Sequence, residues 1–324
     1  MPQSIFLFAV GLVLLIKGGD WFVDGATGIA KRFNLPDIVV GATVVSIGTT
    51  LPEVMVSTTG ALSGSGAMAY GNAIGSIICN TALIAAISIV CNPGPVNVKS
   101  MKTPAIFFFM SAAMYCLAAY GLGEFPRWLG FVMLAVFAVY TVLTVRSGLK
   151  NPDAASEEEE EGGKPKKLWQ ELLLLVVGAG VIAVGADLLV EHGQVIAIGL
   201  GVPETVVALL FVALGTSLPE LVTTITSLKK GRASLGVGNV IGANVFNLVL
   251  VSGVAVSLAP FKVPVENTLL DTGLNLSLVL DIPLMLGVMS LMIFPALLGK
   301  KLSRWQGIAL LCIYVAFCVC QFTL

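Results

Sequence analysis

Apolar runs long enough to cross a hydrocarbon core, which takes about 20 residues, recur along the whole of this 324-residue chain. Such runs read as membrane-spanning helices, and their density leaves no room for a separate soluble domain. Only 11% of the residues are charged and 56% are hydrophobic, whereas a soluble domain carries roughly 25% charged residues. The expected fold class is therefore an all-α integral membrane protein.

Punctuation by Gly, Pro and charge divides the chain into ten spans, at about 4–29, 37–62, 67–91, 103–121, 127–147, 168–194, 203–228, 235–259, 274–298 and 305–323. If the connecting loops alternate sides, 15 basic residues fall on one side, only Arg127 and Lys262 on the other, and Lys17 inside the first span. By the positive-inside rule this places both termini outside and the long central connection in the cytoplasm, in a multi-pass protein of the cell membrane. The first span lacks a basic leader and reads as a retained helix rather than a cleaved signal peptide. The connection, 148–167, carries the acidic run Glu157 to Glu161 followed by Gly162, Gly163 and Lys164. Such a composition cannot bury enough apolar surface to order itself, so it reads as a hydrophilic tether between two halves, 1–147 and 168–324.

Those halves repeat one another. Shifting the sequence by 167 residues sets 11–80 on 178–247 without a gap, with 22 of the 70 positions identical. Gly48 to Glu53 (GTTLPE) falls on Gly215 to Glu220 (GTSLPE), Gly71 to Gly75 (GNAIG) on Gly238 to Gly242 (GNVIG), and Asn80 on Asn247. Five spans per half is an odd number, so the second copy enters the membrane from the opposite side. Such inverted five-helix repeats form many secondary transporters, and their symmetry supplies two similar conformations, one open to each side.

Glu53 and Glu220 lie near the centres of the second and seventh spans, where an ionised carboxylate costs about 2.5 to 3.5 kcal/mol or more. Neither span contains Lys or Arg, so the candidate partners are a bound cation, a proton, or both in competition. Pro52 and Pro219 precede the two glutamates, and each removes a backbone donor and frees the carbonyl four residues earlier, Gly48 or Gly215. Broken helices at membrane depth are expected where the open backbone lines a cavity. Thr49, Thr50, Thr216 and Ser217 add hydroxyls beside the breaks. The glycine blocks of the third and eighth spans let helices approach closely and bring in Asn72, Ser76, Asn80, Asn239, Asn244 and Asn247. All are hard oxygen ligands, suited to Ca²⁺ and Na⁺ rather than to soft metals. The second, third, seventh and eighth spans are thus expected to be broken around a cation site at the bilayer midplane.

GTTLPE and GTSLPE, with GNAIGSIICN and GNVIGANVFN, resemble the alpha repeats of sodium/calcium exchangers of prokaryotic type, within the cation/calcium exchanger superfamily. The resemblance implies an antiporter, not an enzyme, that exchanges Ca²⁺ for Na⁺ by alternating access, as a monomer and without a cofactor. It implies that Glu53 and Glu220 ligate Ca²⁺, and that Ser46, Thr49, Thr50, Ser76, Asn80, Ala213, Thr216, Ser217 and Asn247 line the cation positions, Ser46 and Ala213 through their carbonyls. The first and sixth spans would slide across the remaining bundle. Three positions depart from the family pattern: Ala243 replaces a common Ser, Asn247 a common Asp, and Ile77 a common Asn. Fewer anionic ligands weaken competition by protons and leave the coupling ion open among Na⁺, K⁺ and H⁺.

Other features are ascribed to the scaffold. Trp21, Trp128, Trp169 and Trp305 lie near span ends, where aromatic anchors belong. The six cysteines lack the spacing of a zinc site or disulfide framework, and the charge balance fits no nucleic-acid partner. An ion channel and an intramembrane aspartyl protease built on Asp20 and Asp187 are the rival readings; the internal repeat opposes the first, and Lys17 and Val184, standing where glycine is needed, oppose the second.

Overall fold

The structure, a computed structural model, describes residues 2–150, 167–200, 215–264, 275 and 277–323, with side chains as far as 320. They form helices α1 (Pro2–Arg32), α2 (Asp37–Thr49), α3 (Leu51–Leu62), α4 (Gly66–Cys91), α5 (Val98–Leu122), α6 (Arg127–Leu149), α7 (Leu168–Gly199), α8 (Leu218–Lys229), α9 (Ala233–Leu258), α10 (Ser277–Gly299) and α11 (Arg304–Thr323). Helix starts follow the local chemistry. Pro36 and Pro126 precede α2 and α6, where a missing N–H costs no helical bond, and the Asn97 side chain caps α5 by accepting from the Ser100 N–H at 3.2 Å.

Among the described residues seven helices are long and apolar enough to cross a membrane, or eight if α2 and α3, bent by 46°, count as one span. The sequence leads one to expect ten. The difference lies in two places: 201–214, the first half of the expected seventh span, falls outside the described residues, as does the tether 151–166. In the last helix side chains are described only over Arg304–Cys320, which by itself counts as a shorter apolar helix.

Burial sorts the helices. In α9, 89% of the most apolar stretch is buried, against 28% in α1, α6 and α7, whose outer faces expose Phe6, Phe131, Trp169 and Val176. A large apolar surface of this kind suits lipid. The first half of α9 is the centre of the fold, and α2 runs along it at backbone contact. A Cβ on Gly41 would strike the Leu235 carbonyl, one on Gly238 the Ile38 carbonyl, and one on Gly242 the backbone of Ala42.

Helices α1 and α7, repeat equivalents, pack antiparallel along a seam of glycines seven residues apart. A Cβ on Gly11 would lie 2.9 Å from the Gly185 carbonyl oxygen, on Gly18 2.9 Å from the Ile182 nitrogen, and on Gly25 2.6 Å from the Glu171 carbonyl oxygen. Glycine lets the two backbones meet. Arg32 closes one end of the seam with a two-pronged ion pair to the buried Glu171, at 2.7 and 3.2 Å. Two short antiparallel ladders join the halves: Gly94–Pro95 with Lys301–Leu302, and Glu124–Phe125 with Phe261–Lys262. In each ladder the two loops are ones that the charge split assigns to the same side.

Candidate functional site

The two proline-containing blocks share one local backbone geometry where a helix begins. Thr50, at φ −85° and ψ −1°, separates α2 from α3, and Ser217, at φ −89° and ψ 5°, precedes α8. Pro52 and Pro219 fall in the first turns of α3 and α8, where proline is tolerated because those N–H groups have no intrahelical acceptor. Each glutamate then enters the first turn of a new helix, and its carboxyl group is brought to the site from a helix start.

The third and eighth spans correct the expectation of four broken helices. Both α4 and α9 are continuous, with no proline in either. Each instead widens into π-helix at the same repeat position, over Asn80–Ala85 and Asn247–Val251. One extra residue per turn shifts the side chains that follow and loosens the carbonyl ladder, a feature that recurs at functional sites. In both helices the widened stretch begins at the site asparagine.

Of the residues singled out by the sequence, Ser46, Thr49, Thr50, Glu53, Ser76, Asn80, Ser217, Glu220 and Asn247 are all buried, at most 2% exposed. Thr216 is half-buried, and Ala213 lies outside the described residues. Glu53 and Glu220 lie within electrostatic reach of one another, and the Thr49 and Thr50 hydroxyls neighbour the Glu220 carboxyl. Among the described residues none of the four carboxyl oxygens has a hydrogen-bond partner. The same holds for Thr50 Oγ1, Ser217 Oγ, and the Oδ1 and Nδ2 of both Asn80 and Asn247. A buried charge without a partner is strongly unfavourable, so each carboxyl group calls for a proton or a cation that no described side chain supplies. No group of three His, Cys, Asp or Glu side chains converges among the described residues. Two carboxylates and neutral oxygens are what the site offers.

The hydrogen bonds around this cluster also repeat. Thr49 Oγ1 donates to Asn239 Oδ1 at 3.1 Å, and its repeat equivalent Thr216 Oγ1 donates to Asn72 Oδ1 at 3.3 Å. Asn72 Nδ2 in turn donates to Ser57 Oγ at 2.8 Å and to the Glu53 carbonyl at 3.3 Å. The Ser46 hydroxyl donates to the Gly41 and Asn239 carbonyls at 2.8 and 2.9 Å, and the Ser46 carbonyl accepts from the Thr50 N–H at 3.0 Å. Asn72 and Asn239 were visible in the sequence as repeated residues of the glycine blocks, but not as the groups that hold the threonines in place. Cys79 was missed altogether. It is buried beside Ser217, Glu53 and Glu220, and its counterpart in the other half is Phe246, so the repeat gave no signal.

Comparison with known proteins agrees along the whole chain. Residues 3–146 and 171–323 match the family described as sodium/calcium exchanger protein. An uncharacterized membrane protein of Methanocaldococcus jannaschii is 33% identical over 308 residues, 95% of this chain and 94% of that one. The sodium/calcium exchanger MaX1 of Methanosarcina acetivorans is 27% identical over 98% of both chains. Among solved structures, the sodium-calcium exchanger NCX_Mj soaked with 2.5 mM Na⁺ and 10 mM Sr²⁺ matches with a TM-score of 0.77, at 30% identity over 99% of both chains. With apolar helices throughout and both halves matched, this chain is a multi-pass membrane protein that belongs to the sodium/calcium exchanger family.

Proposed function

We propose that the protein is a secondary antiporter that exchanges Ca²⁺ for Na⁺ by alternating access, the cations being its substrates. The single observation that carries this reading is the pair of repeat-equivalent carboxylates, Glu53 and Glu220, fully buried and without any hydrogen-bond partner among the described residues. Ca²⁺ is a hard cation that takes six to eight oxygens at flexible distances. Glu53 and Glu220 supply the negative charge, and Thr49, Thr50, Ser76, Asn80, Thr216, Ser217 and Asn247 supply neutral oxygens. Ser46 and Ala213 contribute backbone carbonyls, a carbonyl having a second lone pair even when it accepts one N–H. Na⁺ competes for the same oxygens, which couples the two fluxes.

Ten spans in two inverted halves, 1–147 and 168–324, carry the site, with 148–167 as a cytoplasmic tether, both termini outside, and the monomer as the working unit in the cell membrane. The antiparallel glycine seam of α1 and α7 supports both the inversion and the movement. A seam without side chains lets the pair move as one body, tied by Arg32 and Glu171, across the bundle that holds α3, α4, α8 and α9. Loop pairing through the two short ladders supports the sidedness.

The test is Ca²⁺ uptake into proteoliposomes under imposed gradients. An outward Na⁺ gradient is expected to drive Ca²⁺ in, whereas K⁺ and proton gradients of equal size are not; uptake driven only by one of the latter would reassign the coupling ion. A second expectation concerns the positioning pair. In Asn239→Ala the Thr49 hydroxyl loses its acceptor, whereas Ser46 keeps its two backbone carbonyls, so Thr49 no longer holds its lone pairs toward the cation. A lost hydrogen bond of about 1 kcal/mol corresponds to roughly fivefold weaker Ca²⁺ binding, measurable by equilibrium dialysis.

A further inference from the structure

The two halves differ below their glutamates in a way that the antiporter reading leaves unused. In α8, Thr223, Thr224 and Ser227 follow Glu220 at three, four and seven residues, so all four side chains share one helix face. They are 0 to 1% exposed. None of the three hydroxyls has a hydrogen-bond partner among the described residues, although a buried hydroxyl left unpaired costs free energy. At the equivalent positions of α3 stand Val56, Ser57 and Gly60, and the Ser57 hydroxyl already accepts from Asn72 Nδ2. One half therefore carries a row of open hydroxyls and the other does not.

The row has a beginning and an end. It starts at the carboxyl group of Glu220 and runs about 10 Å, seven residues of helical rise, to the last turn of α8. Thr226, on another face, packs on Gly19 of α1, whereas Thr224 meets Gly236 of α9. Thr224 thus faces α9, and Thr226 faces α1 from outside the row. At its far end the helix C-terminus presents the negative pole of its dipole, which favours a cation. At this end Lys230 Nζ is engaged by Asp24 Oδ1 at 2.7 Å and Asp20 Oδ1 at 3.6 Å, which offsets its charge.

We infer that this row is a cation passage: Thr223, Thr224 and Ser227 hand the partly hydrated cation between Glu220 and the Lys229–Arg232 end of α8, in one half of the molecule only. Hydroxyl oxygens are neutral, hard ligands, able to replace waters of Na⁺ or Ca²⁺ in turn without trapping the ion as a carboxylate would. The inference rests on Glu220 being a cation ligand, and two measurements on the full-length protein separate the two claims.

The first is exchange in proteoliposomes by native protein, Glu220→Gln and the triple variant Thr223→Val/Thr224→Val/Ser227→Ala, which nearly keeps side-chain volume. The triple variant is expected to lose at least tenfold in maximal exchange rate while its equilibrium Ca²⁺ affinity stays within about twofold. The second is Ser227→Cys, treated with a charged, membrane-impermeant thiol reagent and read by peptide mass so that the native cysteines do not interfere. Labelling is expected from the side that carries the 148–167 tether and not from the other. A triple variant that exchanges at the native rate overturns the passage, as does an introduced thiol that stays unlabelled or reacts only from the opposite side. Should the triple variant fail to fold, the labelling decides alone. If native protein moves no Ca²⁺ under Na⁺, K⁺ or proton gradients, the antiporter reading falls, while the labelling still tells whether water reaches the row.

Discussion

Glu53→Gln and Glu220→Gln each reduce gradient-driven Ca²⁺ uptake at least about 100-fold, the consequence of removing roughly 3 kcal/mol of charge-dependent ligation from a site with two anionic groups among the described residues. The substitution keeps shape and hydrogen-bonding capacity, so a loss cannot be ascribed to a cavity. Stability separates this account from a merely structural one. In buffer free of Ca²⁺ and Na⁺ the native protein holds two carboxyl groups that no protein donor among the described residues satisfies, and replacing either by a neutral amide relieves their repulsion and desolvation. Each Gln variant is therefore expected to melt no lower than native without ions. Native protein gains about 2.7 kcal/mol when Ca²⁺ reaches a hundred times its dissociation constant, and the variants gain little. Thermal melts with and without Ca²⁺ read both signs. A Gln variant that transports normally, or that Ca²⁺ still stabilises as strongly as native, ends the proposal.

Gly238→Val yields no folded protein. The position of its Cβ is already taken by the Ile38 carbonyl and backbone, and backbone, unlike a side chain, cannot rotate away. To admit Val, α2 must lift from α9 along the contact that also includes Gly41 and Gly242. Overpacking a core costs about 1 to 3 kcal/mol even where side chains can yield, and here they cannot. Because α2 also carries Ser46 and Thr49, a milder Gly238→Ala is expected to leave some folded protein with weakened Ca²⁺ binding. Gly287→Ala, with no neighbour within 4 Å of the added carbon, serves as the tolerated control. Fluorescence size-exclusion yield in detergent checks the series.

Much of the site was legible before any fold was known because the signals were local. A proline marks the first turn of a helix, and Pro52 and Pro219 do fall in the first turns that present Glu53 and Glu220. A carboxylate in an apolar run demands a partner whatever surrounds it. Repetition at a constant shift pairs residues without coordinates, and the observed threonine–asparagine bonds obey that pairing. Where locality failed, so did the reading. Glycine blocks do not interrupt a helix by themselves, so α4 and α9 run on and answer the same sequence with π turns.

The sequence by itself determined that this chain lives in a membrane, that it consists of two related halves, and that two buried acids must find a positive partner. These follow from hydrophobicity, residue identity and spacing along one chain. Only the tertiary structure decided that Asn239 holds Thr49 across 190 residues, that Cys79 borders the carboxyl pair, and that Thr223, Thr224 and Ser227 turn open hydroxyls inward. Which side chains meet depends on how closely helices cross and in what register. Here that is set by backbone contacts at glycine, which has no side chain to announce its partner.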